Sequence, residues 1–259
     1  MDTVKIDAKS TKMIAHRGVS GIERENTAAA FRLAMDRDTD GMETDIHLTS
    51  DGVLVCCHDS DTKRTCGGES RIIEQTSLRE LETLDASNGK TEYRGERIPT
   101  FTESLRILKP GKLYYVEIKE NDPRVVPAMI AEIDKAGIPR EQIIMISFHE
   151  EIVRLYKTSY PEQKALWLTG FQKQPDGSFT PTLEKVLKTL KEIRADGIDA
   201  HGNMEYINAS FIRTVKEAGY LFAVWTLDTE DAARYFINAG VDSITSNCAA
   251  NLRDRIKGN

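Results

Sequence analysis

At 259 residues the chain can bury one large core and matches the size of a single α/β barrel, so one domain over 1–259 is expected. Its 40% hydrophobic and 29% charged residues argue against a disordered or membrane-embedded chain. A net charge of −6 argues against a nucleic-acid binder, whose footprint would be a basic surface, yet is compatible with one cationic pocket.

The opening residues, MDTVKIDAKSTK, are polar and mixed in charge, without the apolar stretch of a signal peptide. Nothing later approaches the roughly 18 apolar residues of a membrane-spanning helix. No stable membrane insertion and a cytoplasmic setting are expected, a processed secreted form being the alternative. The first strand, 13–18 (MIAHRG), carries His16 at its end and Arg17 just beyond. Asn26 or Thr27 then caps a helix through Ala28, Phe31, Ala34 and Met35. A second strand, 41–48 (GMETDIHL), puts Glu43 and Asp45 two apart and so on one face.

The stretch 49–98 is an excursion. TSDGVLVCCHD reads as an Asp-Gly turn and an extra strand ending at His58, with Cys56 and Cys57 on opposite faces, and 64–70 reads as a loop. With Cys66 and Cys248 these cysteines form no zinc-like C-x-x-C pair and read as reduced thiols. Thr100 to Glu103 form a capping box opening a helix with Leu105 and Leu108. Strands over 113–119, 143–148, 164–169, 195–200, 221–226 and 241–246 then alternate with helices over 123–136, 149–158, 181–194, 208–218 and 229–239, several ending at a glycine (Gly137, Gly219, Gly240). Eight strands joined by crossovers predict an α/β fold, a (β/α)8 TIM barrel with an extended loop or hairpin insertion after strand two. A doubly wound open sheet is the alternative, although no glycine-rich dinucleotide loop follows the first strand. The loops that follow barrel strands form the active face, so the excursion is the first place to look for function.

Glu43 and Asp45 share a face, and Glu117 ends the next regular strand. Like charges gather only around a shared cation or proton, and three carboxylates suit Mg²⁺ or Ca²⁺ better than zinc. The plainer reading is strand-end charges paired with lysines such as Lys119. His16 and His58 titrate near neutrality and could exchange proton donor and acceptor roles across a scissile bond, or be structural. Arg17 could take phosphate oxygens bidentately, or pair with Glu25. Trp225 could wall a substrate pocket or fill a barrel layer. His47, His149 and His201 also fall near strand ends and read as structural or capping.

The segment IAHRGVSGIERENTAAAFRLAMDRDTDGMETDIHLTSDGVLVCCHDSDTKRTCGG resembles the glycerophosphodiester phosphodiesterase family. That pattern is H-R-G, P-E-N-T, E-x-D, then T-x-D-G-x-x-V-x-x-H-D and R-T; later, IPTFTESL and VEIK match too. The resemblance implies a barrel that hydrolyses glycerophosphodiesters to glycerol 3-phosphate and an alcohol, with a divalent cation, Mg²⁺ or Ca²⁺, as cofactor. It implies Glu43, Asp45 and Glu117 as metal ligands, and His16 and His58 as the acid/base pair. Arg17 and Lys119 become phosphate-side cations, and Glu25 a supporting or metal-proximal group. The implied partner is a small-molecule glycerophosphodiester; the pattern sets no oligomeric state. Two residues depart from the pattern. Arg24 replaces the proline of P-E-N-T, and Ser246 stands where many members have an aspartate. A lipid-acting phospholipase D-like or phosphoinositide-cleaving barrel, and a non-catalytic relative, are the competing readings.

Overall fold

The computed structural model describes residues 11–68, 70–87 and 91–257, so most of the polar N-terminal stretch and position 69 of the expected loop 64–70 lie outside the described residues. Eight parallel strands close into a barrel: β1 (Lys12–Ala15), β2 (Gly41–Leu48), β4 (Leu113–Ile118), β5 (Ile143–Ser147), β6 (Lys164–Thr169), β9 (Gly197–His201), β10 (Leu221–Trp225) and β11 (Ser243–Ser246). Each pairs with the next, and β1 pairs with both β2 and β11, which joins the two ends. The antiparallel strand β3 (Leu54–Cys56) folds back on β2, and β7 (Gln172–Lys173) pairs with β8 (Phe179–Thr180) in a small hairpin that periodicity did not reveal.

Helices α1 (Ala28–Asp36), α5 (Val125–Ala136), α6 (Glu150–Ser159), α7 (Leu183–Ile193), α8 (Ala209–Glu217), α9 (Glu230–Ala239) and α10 (Ala249–Lys257) clothe the barrel; α2 (Lys63–Cys66), α3 (Leu78–Leu81) and α4 (Phe101–Leu105) are short. Their ends follow local chemistry. The Thr27 side chain caps α1 by accepting from Ala30 N, and Thr100 with Glu103 forms the expected capping box of α4. Gly137 and Gly240 close α5 and α9 in the left-handed conformation. α4 ends at Leu105, short of Leu108, which packs into the core from the coil that follows. α10 was not expected, since its charged sequence carries few apolar residues, but Leu252 and Ile256, four apart, seat it against the core.

The barrel strands bury both faces, and the two faces differ in chemistry. On β2, Met42, Ile46 and Leu48 point outward into the core shared with the helices, while Glu43 and Asp45 point into the barrel. On β4, Tyr114, Val116 and Ile118 point outward, and Tyr115 points inward beneath Glu117. Ile14, Tyr115, Ile144, Ile146, Leu166, Leu168 and Ala223 plug the barrel interior with apolar side chains. The charged groups therefore sit on an apolar floor at the ends of the strands. The excursion has its own small core of Val55, Cys57, Cys66, Ile73, Leu81, Ala86 and Ile98, whereas Cys56 faces the main core, so the vicinal pair does face opposite ways. Burial pushes both thiols up to about 12, which makes them inert packing groups.

Candidate active site

β1 ends at Ala15, one residue before His16, because the chain turns sharply there: Arg17 has φ 53° and Gly18 φ 77°, values that no strand continues. The turn is pinned on three sides. His16 N donates to Ser246 O (2.9 Å), Arg17 N to the Glu43 carboxylate (2.8 Å), and Gly18 packs so tightly on Ala30 that a Cβ there would lie 2.5 Å from the Ala30 carbonyl carbon. A non-glycine residue held left-handed, as Arg17 is, costs free energy that surrounding contacts must repay, and such residues concentrate at functional sites.

Glu43, Asp45 and Glu117 meet at the barrel mouth. Asp45 and Glu117 are register partners on neighbouring strands, and one oxygen from each of the three carboxylates lies within 4.8 Å of the others. All three are buried. Lys119 Nζ reaches Glu117 (2.8 Å) and Asp45 (3.4 Å), and Arg17 Nε lies 3.3 Å from Asp45. Asn26, also left-handed at φ 53°, donates to Asp45 from its side chain (2.9 Å) and accepts from Thr44.

The electrostatics follow from this crowding. Burial, then the charge of Asp45, pushes Glu43 well above the usual carboxylate range and Glu117 up to about 7. Burial opposes ionisation of Asp45 too, but Lys119 and Arg17 outweigh it and hold that carboxyl low. Asp45 Oδ1 is buried and makes no hydrogen bond, with the Lys119 ammonium beside it at 3.4 Å. Three carboxylate oxygens within 4.8 Å of one another, two of the carboxyls reluctant to ionise together and one oxygen without a hydrogen bond, fit a hard divalent cation, which would supply the missing charge and take up the free lone pairs.

The two histidines share a pocket with this trio. His16 Nδ1 lies 2.7 Å from Asn247 Oδ1, and the Asn247 amide is oriented by its own donation to Asp228 Oδ2 (2.6 Å) and by Ser20 Oγ donating to its oxygen (2.7 Å). An amide oxygen only accepts, so the proton sits on Nδ1, and Nε2, 3.9 Å from Glu43, carries the lone pair. His58 lies two residues past β3 instead of at its end, with Nδ1 2.7 Å from Asp59. Both imidazoles titrate below the ordinary histidine value, with burial the main cause in each. They differ in partner: His16 faces a neutral amide, His58 a carboxylate.

Glu25 stands apart from the acidic trio. It takes Arg17 Nη1 at 2.9 Å and Arg64 at 2.6 and 2.8 Å, and Arg64 also grips Asp59 at 2.7 Å. A chain of charge pairs thus runs from Arg17 through Glu25, Arg64 and Asp59 to His58, tying the first loop to the excursion. Arg24 adds to that tie by donating to Ala86 O and Thr65 O, contacts that the proline it replaces could not make.

A pocket of about 500 Å³, including its open mouth, lies over this cluster, lined by His16, Arg17, Glu43, His58, Glu117 and Lys119 on one side. Ile146, Phe148, Leu168, Asp199, Trp225 and Thr245 form the other. Trp225 faces inward as expected from its parity with Ala223, and its ring packs edge-on against Phe148 (5.8 Å) and His201 (5.2 Å). His47 lines no part of it: its ring bonds Glu120 and the His58 carbonyl. His149 bonds the Lys119 carbonyl at 3.0 Å. Both hold the backbone of site residues. At the end of β11, the Ser246 side chain bonds Asp228, and the contact with the His16 ring comes from Asn247.

Asn247, Asp228, Asp59 and Arg64 escaped the sequence reading as site residues. Asp59 and Arg64 stood within the quoted H-D and R-T motifs, so a signal existed. Asn247 and Asp228 reach His16 only because β11 closes against β1, which no local pattern discloses.

Residues 16–250 match the glycerophosphoryl diester phosphodiesterase family. A glycerophosphodiester phosphodiesterase from Caldanaerobacter subterraneus subsp. tengcongensis is 32% identical, over 90% of this chain and 93% of that one. One from Bacillus subtilis is 25% identical over 90% and 82%. Among solved structures, a phosphodiesterase from Oleispira antarctica in complex with the product sn-glycerol-3-phosphate superposes with a TM-score of 0.85 at 25% identity, covering 96% of this chain and 98% of that one.

Proposed function

Since the chain belongs to the glycerophosphoryl diester phosphodiesterase family, an enzyme class, we propose that it hydrolyses a glycerophosphodiester to glycerol 3-phosphate and an alcohol by two-histidine acid/base chemistry. The observation that carries this is the gathering in one pocket of two imidazoles, each anchored through Nδ1, with a trio of carboxylates whose oxygens lie within 4.8 Å of one another.

Glu43, Asp45 and Glu117 would hold the divalent cation, Mg²⁺ or Ca²⁺, which when bound supplies Lewis-acid polarisation and a template for the phosphoryl group. Arg17 and Lys119 stand beside that position and stabilise negative charge growing on the phosphoryl oxygens. His16, kept neutral by burial and by Arg17, offers Nε2 to take the proton of the nucleophile. His58, oriented through Nδ1 by the Asp59 carboxylate, would return a proton to the leaving alcohol. Glu25 acts through Arg17 and Arg64, setting the first against the cluster and the second against Asp59. Trp225 walls the space for the organic part of the substrate.

The retention of all these groups in one pocket speaks against a non-catalytic relative. No helix among the described residues is long and apolar enough to cross a membrane, and action at a lipid surface is separated from action on soluble diesters by experiment. The test is glycerol 3-phosphate release from water-soluble and micellar diesters, with and without EDTA. Release from the soluble diester that EDTA abolishes and added cation restores is expected. Release only from micelles would favour the lipid-acting reading, and none from either would favour the non-catalytic one.

A further inference from the structure

The proposed chemistry uses the acidic side of the pocket and leaves two polar groups on its opposite side unexplained. Asp199 Oδ1 and Thr245 Oγ1 are both buried without a hydrogen-bond partner, and both residues line the pocket. Register fixes their direction. Asp199 pairs with Ala223, a member of the inward-facing cluster, and Thr245 pairs with Ile14, another member. They project from β9 and β11 on either side of β10, the strand that carries Trp225. Around them the wall is apolar: Ile146, Leu168, Phe148 and the Trp225 ring. Nothing in the fold itself demands a carboxyl or a hydroxyl there. Leucine and valine would fill those places in an apolar floor without leaving a polar atom unpaired.

Buried polar groups in native proteins are almost always paired, and those that are not call for a partner absent from the free chain. We propose that Asp199 and Thr245 form a hydroxyl-recognising subsite, which selects the half of the diester that carries free hydroxyl groups and seats it against Trp225. This deepens the phosphodiesterase reading and rests on it. The pairing is chemically apt. Burial, then the charge of Glu117, pushes Asp199 up to about 8, so near neutrality it is largely a neutral acid that can both donate to and accept from a hydroxyl. Thr245 likewise offers a donor and an acceptor. A polyol satisfies both without bringing a charge onto the floor, and an alcohol lacking hydroxyls leaves both unpaired. Sites of this kind reject the deoxy analogue strongly because their own polar groups are then stranded.

Binding separates this from the chemistry of hydrolysis. sn-Glycerol 3-phosphate and propyl phosphate share the phosphate and the three-carbon chain and differ in two hydroxyls. Calorimetric titration of each into protein supplied with Mg²⁺ or Ca²⁺ should show a preference for glycerol 3-phosphate of about tenfold or more. In Asp199→Leu and in Thr245→Val that ratio should fall several-fold toward unity. Melting temperatures identify a variant that fails to fold, in which case the other variant decides. A ratio kept in both variants, or no preference in the unaltered protein, overturns the subsite. Tighter binding of phosphocholine than of glycerol 3-phosphate, lost in Asp199→Leu, also overturns it, by assigning Asp199 to an ammonium group. If the unaltered protein binds none of the three phosphates, the failure lies with the phosphodiesterase reading.

Discussion

Two histidines in this chain differ in what stands behind them, and that difference should be measurable. His16 is oriented by Asn247, itself held by Asp228 and Ser20; His58 is oriented by Asp59. Replacing either imidazole by alanine is expected to lower kcat by about 10²-fold or more, the usual contribution of a positioned acid or base. Turnover within a few-fold of the unaltered protein in either variant contradicts the assignment. Asn247→Ala removes no group that would touch substrate, but frees the His16 ring to change tautomer. It should therefore lower kcat while leaving KM little changed, whereas a merely structural role would move the melting temperature and spare the surviving active fraction. His16, His58, the acidic trio, Arg17, Lys119 and Trp225 could be named from the sequence because each sits in a short motif or at a strand end. Asn247 and Thr245 could not, since their importance arises from barrel closure.

At the scale of elements, the site depends on one turn and one excursion. The turn after β1 holds Arg17 left-handed and presses Gly18 onto Ala30. Gly18→Ala adds a methyl group to a backbone conformation that disfavours it and drives it into Ala30. A loss of stability of at least about 1–3 kcal/mol is expected from the backbone term alone. Chemical denaturation checks this, and an unchanged midpoint would mean that the turn is looser than its contacts suggest. The excursion carries His58, and its small core is anchored by Leu81, which is fully buried. Leu81→Ala should cost about 2–4 kcal/mol if the excursion unfolds with the barrel. If it opens alone, hydrogen exchange will rise across 54–98 first. The extra strand, the Asp-Gly turn and the capping box at Thr100 were legible because each has a local signature. The β7–β8 hairpin and α10 were not, because pairings of two residues and a charged helix leave almost no periodic trace.

For the molecule as a whole, the acidic trio links folding, protons and cation. Glu43 and Glu117 titrate above the values they have in an unfolded chain, so without a cation the folded state binds more protons than the unfolded one. Their contribution to stability is then fullest at low pH and is lost as pH rises from the ordinary carboxylate range through about 7 for Glu117. A cation reverses this by displacing the protons. Its stabilising effect should be small at pH 5 and larger at pH 8, read as the rise in melting temperature on adding Mg²⁺ or Ca²⁺. A rise that is the same at both pH values would mean that these carboxyls are already ionised. The eightfold alternation of strands and helices, and with it the barrel, was plain in the sequence. The apolar floor beneath a charged rim was only half visible, since parity assigns each strand two faces without saying which one is the interior.

The central claim is that Glu43, Asp45 and Glu117 together hold one divalent cation. Calorimetric titration of Mg²⁺ or Ca²⁺ into protein stripped with EDTA, for the unaltered chain and for Glu43→Gln and Glu117→Gln, tests it directly. One site per chain is expected, weakened by about tenfold or more in each variant, as the loss of a charged oxygen ligand requires. Equal affinity in all three proteins, or no binding to the unaltered chain, would contradict it.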